Sequence, residues 1–198
     1  CNGNLKNIKK KHLVENFDNK DIKWNNIPGK LINISQGKDY LYGVNINNEI
    51  FKCKKPCIGG WVNIPGGLKY IDGSDNDYLW GVNIHEQIYK CKKPCTGGWV
   101  NVPGGLKQIS AGNNDNMYGV NTHNHIYRCK KPCTGGWIRI GGDLKHIAGS
   151  GTDVWGVNAA DVIYKCNKNP CSGEWAPITG KLKQLDISDP NYIYGVNS

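Results

Sequence analysis

Tryptophan returns in this chain at Trp24, Trp61, Trp99, Trp137 and Trp175, at intervals of 37, 38, 38 and 38 residues. A second landmark, an aromatic residue followed by Gly-Val-Asn, keeps the same interval. It stands at Tyr42 to Asn45, Trp80 to Asn83, Tyr118 to Asn121, Trp155 to Asn158 and Tyr194 to Asn197. Two unrelated landmarks on one period make the 198 residues five copies of one unit. A unit this short cannot bury a core alone, so the copies must pack on one another.

Within a unit the pattern is that of short strands. In the copy that opens at Trp61, residues 61–64, 68–71, 78–82 and 87–90 are runs rich in branched and aromatic side chains. Pro65-Gly66-Gly67, residues 73–76 and residues 83–86 read as turns between them. No window carries a helical period. Four antiparallel strands per repeat describe one blade of a β-propeller. The expected fold is therefore all-β, a single propeller of five four-stranded antiparallel blades over residues 12–198, with residues 1–11 as a basic N-terminal tail. The last unit, from Trp175, is one strand short, and residues 12–17 form a lone strand candidate ahead of Trp24. Setting Phe17 where Phe51 and Tyr89 stand closes the last blade with an N-terminal strand.

Eight of the nine cysteines form four close pairs at one repeat position: Cys53 with Cys57, Cys91 with Cys95, Cys129 with Cys133, and Cys166 with Cys171. Short Cys spacings also hold zinc, but a zinc site joins two such pairs, and here the pairs lie a full repeat apart. A local disulfide in each repeat is the preferred reading and zinc the alternative. Structural disulfides imply an oxidising compartment, so a secreted, extracellular protein is expected. The sequon at Asn33 agrees with that. Cys1 is left over, and a dimer joined through it is one of its possible fates. No apolar run approaches the ~18 residues of a membrane span, so no membrane insertion is expected.

The units also resemble a known family. W-V-N-I-P-G-G-L-K-Y-I, then L-W-G-V-N, then Q-I-Y-K, as they stand from Trp61 to Lys90, are similar to the tectonin repeat of fish egg lectins and horseshoe-crab tectonin lectins. The likeness recurs in all five units. Six repeats are common in that family. Here there are five, each of the first three with a Cys-Lys-Lys-Pro-Cys insert, and residues 140–143 depart from Pro-Gly-Gly. The resemblance implies a propeller lectin that binds glycans, N-acetylated sugars or bacterial surface saccharides among them, in innate defence or agglutination.

The residues themselves favour binding over catalysis. Acids and histidines are scattered over different repeat positions, with no paired carboxylates and no nucleophile beside a base. His123 and His125 share one side of a strand and are read as turn residues rather than ligands. No cofactor, no metal and no enzyme activity are expected. A sugar ring needs an aromatic plate and hydrogen-bonding partners. Candidate carbohydrate contacts are therefore Trp24, Trp61, Trp99, Trp137 and Trp175, with Asn45, Asn83, Asn121 and Asn158. Each set has a rival role, the tryptophans in wedging blades and the asparagines in shaping turns. Net charge is +9, but the lysines at Lys69, Lys107, Lys145 and Lys183 and in the Cys inserts recur by repeat, so they are expected to be spread around the molecule. No continuous basic track of the kind nucleic acid requires is expected, and nucleic acid is not an expected partner. The partners expected are glycans or glycoconjugates in clefts between blades. The alternative is an interaction propeller that meets a protein or bacterial lipopolysaccharide through its basic surface.

Overall fold

Turns of four residues join the second strand of each of the first four blades to the third, and turns of two to five residues join the first to the second, so neighbours in sequence become neighbours in a sheet. The computed structural model describes residues 26–112, 114–189 and 192–197. The first blade is β1 (Asn33–Gln36), β2 (Tyr40–Val44), β3 (Glu49–Lys54) and β4 (Val62–Gly67). The second is β5 (Tyr70–Asp72), β6 (Tyr78–Val82), β7 (Gln87–Lys92) and β8 (Val100–Gly105). The third is β9 (Gln108–Ser110), β10 (Asn116–Val120), β11 (His125–Lys130) and β12 (Ile138–Asp143). The fourth is β13 (His146–Ser150), β14 (Asp153–Val157), β15 (Val162–Cys166) and β16 (Trp175–Lys181). A two-stranded sheet, β17 (Gln184–Asp189) with β18 (Tyr192–Val196), begins the fifth. Every pairing is antiparallel and runs in sequence order from the inside out. The first strands β1, β5, β9, β13 and β17 touch in succession and stand around one axis.

The period is as expected, but its phase is not. The strand that opens with Trp does not begin a blade. Trp175 pairs with Cys166, so β16 is the outer strand of the fourth blade, as β4 is of the first. The short Cys loop holds the Trp strand to the strand before it, and the crossover to the axis comes later, at Leu-Lys. The chain beyond residue 183 thus supplies two strands of the fifth sheet, where three were expected. The N-terminal strand of residues 12–17, the tail of residues 1–11, Cys1 and Trp24 lie outside the described residues.

Pro65-Gly66-Gly67 is likewise a bulge within β4, where a turn was expected. Ile50 pairs with Ile64 and Glu49 with Gly67, which leaves Pro65 and Gly66 out of register. The displaced glycines Gly66, Gly104 and Gly142 take positive φ, where no side chain is easily held. A Cβ on Gly66 would lie 2.6 Å from the indole nitrogen of Trp99, one on Gly104 2.8 Å from Trp137, and one on Gly142 2.8 Å from Trp175. Each Trp therefore packs on the bulge of the blade before it. Cys53–Cys57, Cys91–Cys95, Cys129–Cys133 and Cys166–Cys171 are disulfide-bonded within their own loops.

The core lies between blades. Trp80, Leu106, Ile109 and Met117 pack together across the second and third blades, and Tyr118, Leu144, Ile147 and Val154 across the third and fourth. Polar side chains of the inner strands join the blades near the axis. Asn33 Oδ1 accepts from Ile71 N–H at 2.9 Å and Ser35 Oγ from Gly73 N–H at 2.9 Å. Asp72 Oδ2 accepts from Ala111 N–H at 3.1 Å, and Ser110 Oγ from Gly149 N–H at 2.9 Å. Gln108 bonds both backbone groups of Ile147, at 3.0 Å and 2.7 Å. These bonds run 38 or 39 residues along the chain, one repeat each.

Candidate functional site

Three kinds of concavity follow from this ring: clefts between blades, a polar channel on the axis, and the two mouths of that channel. The clefts open on the face that carries the Cys loops. Between the first and second blades a cavity of about 180 Å³ is lined by Lys38, Asp39, Tyr40, Tyr42 and Lys52 on one side and by Asn76, Lys93 and Pro94 on the other. Tyr40 is half-buried and presents an aromatic plate, while Tyr42 beneath it is buried. Burial, with Tyr40 and Asp39 nearby, pushes the Tyr42 hydroxyl up to about 12, so it stays a neutral donor. Lys52 stands 5.7 Å from the Tyr40 ring and donates to the Pro94 carbonyl at 3.2 Å, bridging the blades. Lys93 stands 5.4 Å from the Tyr42 ring and donates to the Gly73 carbonyl at 2.8 Å.

The next cleft repeats the arrangement. Lys90 lies 5.1 Å from the Tyr78 ring and 5.2 Å from Trp80, and donates to the Pro132 carbonyl at 3.0 Å. Lys131 donates to the Ala111 carbonyl at 2.6 Å and pairs with Asp75 at 2.9 Å. Burial of Asp75 works against its charge, but Lys131 and the N–H groups of Tyr78 and Asp77 outweigh it and hold the carboxyl below the ordinary range. The third and fourth blades replace Tyr40 and Tyr78 with Asn116 and Asp153. Here Arg128 donates to the Cys171 carbonyl at 3.1 Å, and Lys165 pairs with Asp153 at 3.3 Å. The clefts share a scaffold and differ in their plates.

The sequence-derived candidates fall in different places. Trp61, Trp99, Trp137 and Trp175 are half-buried wedges. The indole of Trp99 donates to the Pro65 carbonyl and that of Trp175 to the Gly141 carbonyl, each at 2.8 Å. Asn45, Asn83, Asn121 and Asn158 each fold a turn. Asn121 Oδ1 accepts from His123 N–H at 3.0 Å and His125 N–H at 2.9 Å, and the other three accept from the same two positions. This Asx geometry holds Asn48, Glu86, Asn124 and Asp161 at positive φ. Asn121→Ala is expected to destabilise the domain by about 1–2 kcal/mol, since two N–H groups lose one acceptor. Chemical denaturation of the variant would measure this. Asn33, the sequon residue, lines the narrow part of the channel, and its Oδ1 accepts from Ile71 N–H at 2.9 Å.

Two features escaped the sequence reading. Tyr40 and Tyr78 were visible as an Asp-Tyr pair two residues ahead of the aromatic of the tetrad, but only the cleft shows their exposure. The lysines before the inner strands were expected to be dispersed, and the fold instead gathers them at one mouth of the channel. Lys107 loses basicity to burial and to its neighbours Lys69 and Lys145. Lys145 and Lys183 both pair with Asp161 and hold its carboxyl down to about 2. The inner strands converge, so residues a repeat apart meet at their ends. The stacked rings of His123 and His125 lie 5.8 Å apart, and no cluster of three or more metal-ligating side chains occurs among the described residues.

Comparison with known proteins agrees with this geometry. A solved structure of human WBSCR16 superposes with a TM-score of 0.58 at 10% identity, over 79% of this chain and 57% of that one. Prp20p from Saccharomyces cerevisiae superposes with a TM-score of 0.55 at 10% identity, over 84% and 54%. These likenesses concern the fold alone, and the chain spans little more than half of each. Lectin L6 of Tachypleus tridentatus is 44% identical over 39 residues, which are 20% of this chain and 18% of that lectin. The tectonin domain model matches residues 6–150 and 59–198. A propeller of 38-residue units that matches this model along nearly all its length belongs to the tectonin-domain family.

Proposed function

We propose that the protein is a secreted, multivalent lectin that holds glycans in the clefts between adjacent blades, on the face of the Cys loops. The observation that carries this reading is the cavity of about 180 Å³ beside Tyr40. It is smaller than the ~300 Å³ of a drug-sized pocket and suits one small polar ring. Tyr40 offers a stacking plate, Asp39 and Asn76 offer partners for hydroxyl groups, and Lys52 closes the rim. A second such cleft at Tyr78 supplies a second attachment point, and two weak sites on one rigid disc give strong binding to a repetitive surface. Disulfides in the described repeats support an extracellular setting. The family likeness to a lectin supports recognition of saccharide over catalysis. A role in innate defence or agglutination belongs to the same proposal.

A glycan array with and without chelator, at two salt concentrations, tests this. Selective signals that persist in high salt and chelator are expected. Tyr40→Ala with Tyr78→Ala should weaken the array signal at least about tenfold, as loss of an aromatic anchor does elsewhere, with the thermal midpoint recorded as a control for folding. Signals confined to sulfated or phosphorylated glycans at low salt would favour the second reading, an interaction propeller that meets lipopolysaccharide or protein through charge. The lysines gathered at the channel mouth are what favour it.

A further inference from the structure

The end of the channel opposite the Cys loops has a charge pattern that the clefts do not use. Lys69, Lys107, Lys145 and Lys183 each precede an inner strand, and the strands meet at the axis, so the four residues stand at one end of the channel, where Lys107 Nζ donates to Asn124 Oδ1 at 2.6 Å. The two Gln108 bonds to Ile147 lock β9 beside β13 and so set Lys107 next to Lys145. The carboxylates close to this mouth are Asp161, shared by Lys145 and Lys183, and Glu86, near Lys107. Four lysines thus share this end of the channel with two carboxylates, and Lys145 and Lys183 both pair with Asp161.

Just inside lies His146. It occupies the ring position that Asn33, Tyr70, Gln108 and Gln184 fill in the other blades, and all five line the narrow part of the channel. Asn33 and Gln108 use their side chains to bond the next blade. His146 does not. Both its ring nitrogens are buried, and neither meets a hydrogen-bonding partner among the described residues. A buried polar group left unpaired is costly, and a native fold that keeps one commonly has a use for it. The acidic groups on the same narrow channel, Asp72 and Asp186, lie deeper along their strands, and Asp72 is already bonded to Ser74 and Ala111.

We propose that this mouth is an oxyanion site, in which a phosphate or sulfate group sits among Lys69, Lys107, Lys145 and Lys183 and accepts a hydrogen bond from His146. The chemistry fits in both directions. An ammonium ring supplies charge without fixed geometry, and an imidazole N–H supplies one directed donor. In the empty site burial, then Lys107 and Lys145, push the His146 imidazole down to about 4, so it is neutral. An anion among the lysines cancels that repulsion and favours the imidazolium. Tyr70, Asp72 and Asp186 also face this part of the channel, and the two carboxylates keep the anion at the mouth. This site is independent of the Tyr40 and Tyr78 clefts and lies on the other face.

The test is an NMR titration of the intact chain with inorganic phosphate, and separately with a sugar phosphate, reading the His146 ring signals. Saturable binding that raises the His146 pKa by about one unit or more is expected. Lys107→Gln with Lys145→Gln should weaken it at least about tenfold, the loss of two charge-assisted bonds, while Tyr40→Ala with Tyr78→Ala should leave it unchanged. Tighter binding of the sugar phosphate would identify a glycan-borne anion as the occupant, and equal binding a free one. If phosphate leaves the His146 signals of the unmodified protein in place, or the shifts map to Lys54, Lys92 and Lys130 on the other face, the proposal fails.

Discussion

Gly81→Ala is expected to destabilise the domain by about 3 kcal/mol or more, at the upper end for an overpacked core position. The Gly of the aromatic-Gly-Val-Asn tetrad sits in the second strand of its blade, with the Leu before the inner strand folded directly over it. A Cβ on Gly81 would lie 2.6 Å from the Tyr70 carbonyl and closer still to the Leu68 side chain. Leu68 can shift, but the carbonyl belongs to a paired strand and cannot. The same two obstacles, Leu and carbonyl, meet a Cβ at Gly43, Gly119, Gly156 and Gly195, so the requirement belongs to the repeat. In a domain of this size the loss should lower the Tm by roughly 6–12 °C. Gly97→Ala is the matched control: a Cβ there meets nothing within 4 Å, and the change should stay within about 0.5 kcal/mol. Equal effects at the two positions would show that the tetrad glycine is not a packing requirement.

Acid is expected to weaken the fold through His146. Its folded pKa, depressed to about 4 mainly by burial and then by Lys107 and Lys145, lies below the ordinary 6.5. The unfolded chain therefore binds this proton first as pH falls. The stability in question is complete above pH 6.5 and is lost progressively down to about pH 4, where the folded state also accepts the proton. The loss amounts to about 3 kcal/mol. Asp186 works the other way: burial, with Asp72 nearby, raises its carboxyl, so its protonation on acidification relieves a cost. His146→Gln separates the two. Gln108, at the same ring position, bonds the N–H and carbonyl of Ile147, and a Gln at 146 can reach the next inner strand in the same way. The variant should lose most of the acid sensitivity between pH 6.5 and 4 and gain about 1 kcal/mol at pH 7 from pairing a buried position. Denaturant midpoints across that range decide it. An unchanged pH profile would remove His146 from the account.

The repeat, the strand class, the disulfide pairs and the family were legible in the sequence because each is a local pattern or a spacing. The phase of the blade was not, since a period fixes the interval between strands and not the point where the chain crosses to the axis. That point depends on Trp175 pairing back to Cys166. The role of the tryptophans was half legible: their rival as wedges was visible, but the wedge needs the bulged glycine of another repeat, 33 residues away in the case of Gly66 and Trp99. The candidate site was less legible still. Tyr40 and Tyr42 stand two residues apart in one strand, half-buried and buried, and only the curvature that brings Pro94 and Lys93 of the next blade beside them makes a cleft. The approach of Lys69 and Lys145 to Lys107 was not legible for the same reason. Residues one repeat apart are remote along the chain, and ring closure makes them neighbours.

The central claim, that glycans are held in the inter-blade clefts, is tested most directly by mapping backbone amide shifts of the intact protein as the best array sugar is added. The account predicts that the shifts concentrate at Asp39, Tyr40, Lys52 and Lys93, and at Asp77, Tyr78, Lys90 and Lys131, and that they saturate in high salt. Shifts absent from both clefts, or centred on Trp61, Trp99 and Trp137 at the outer bulges, would contradict it.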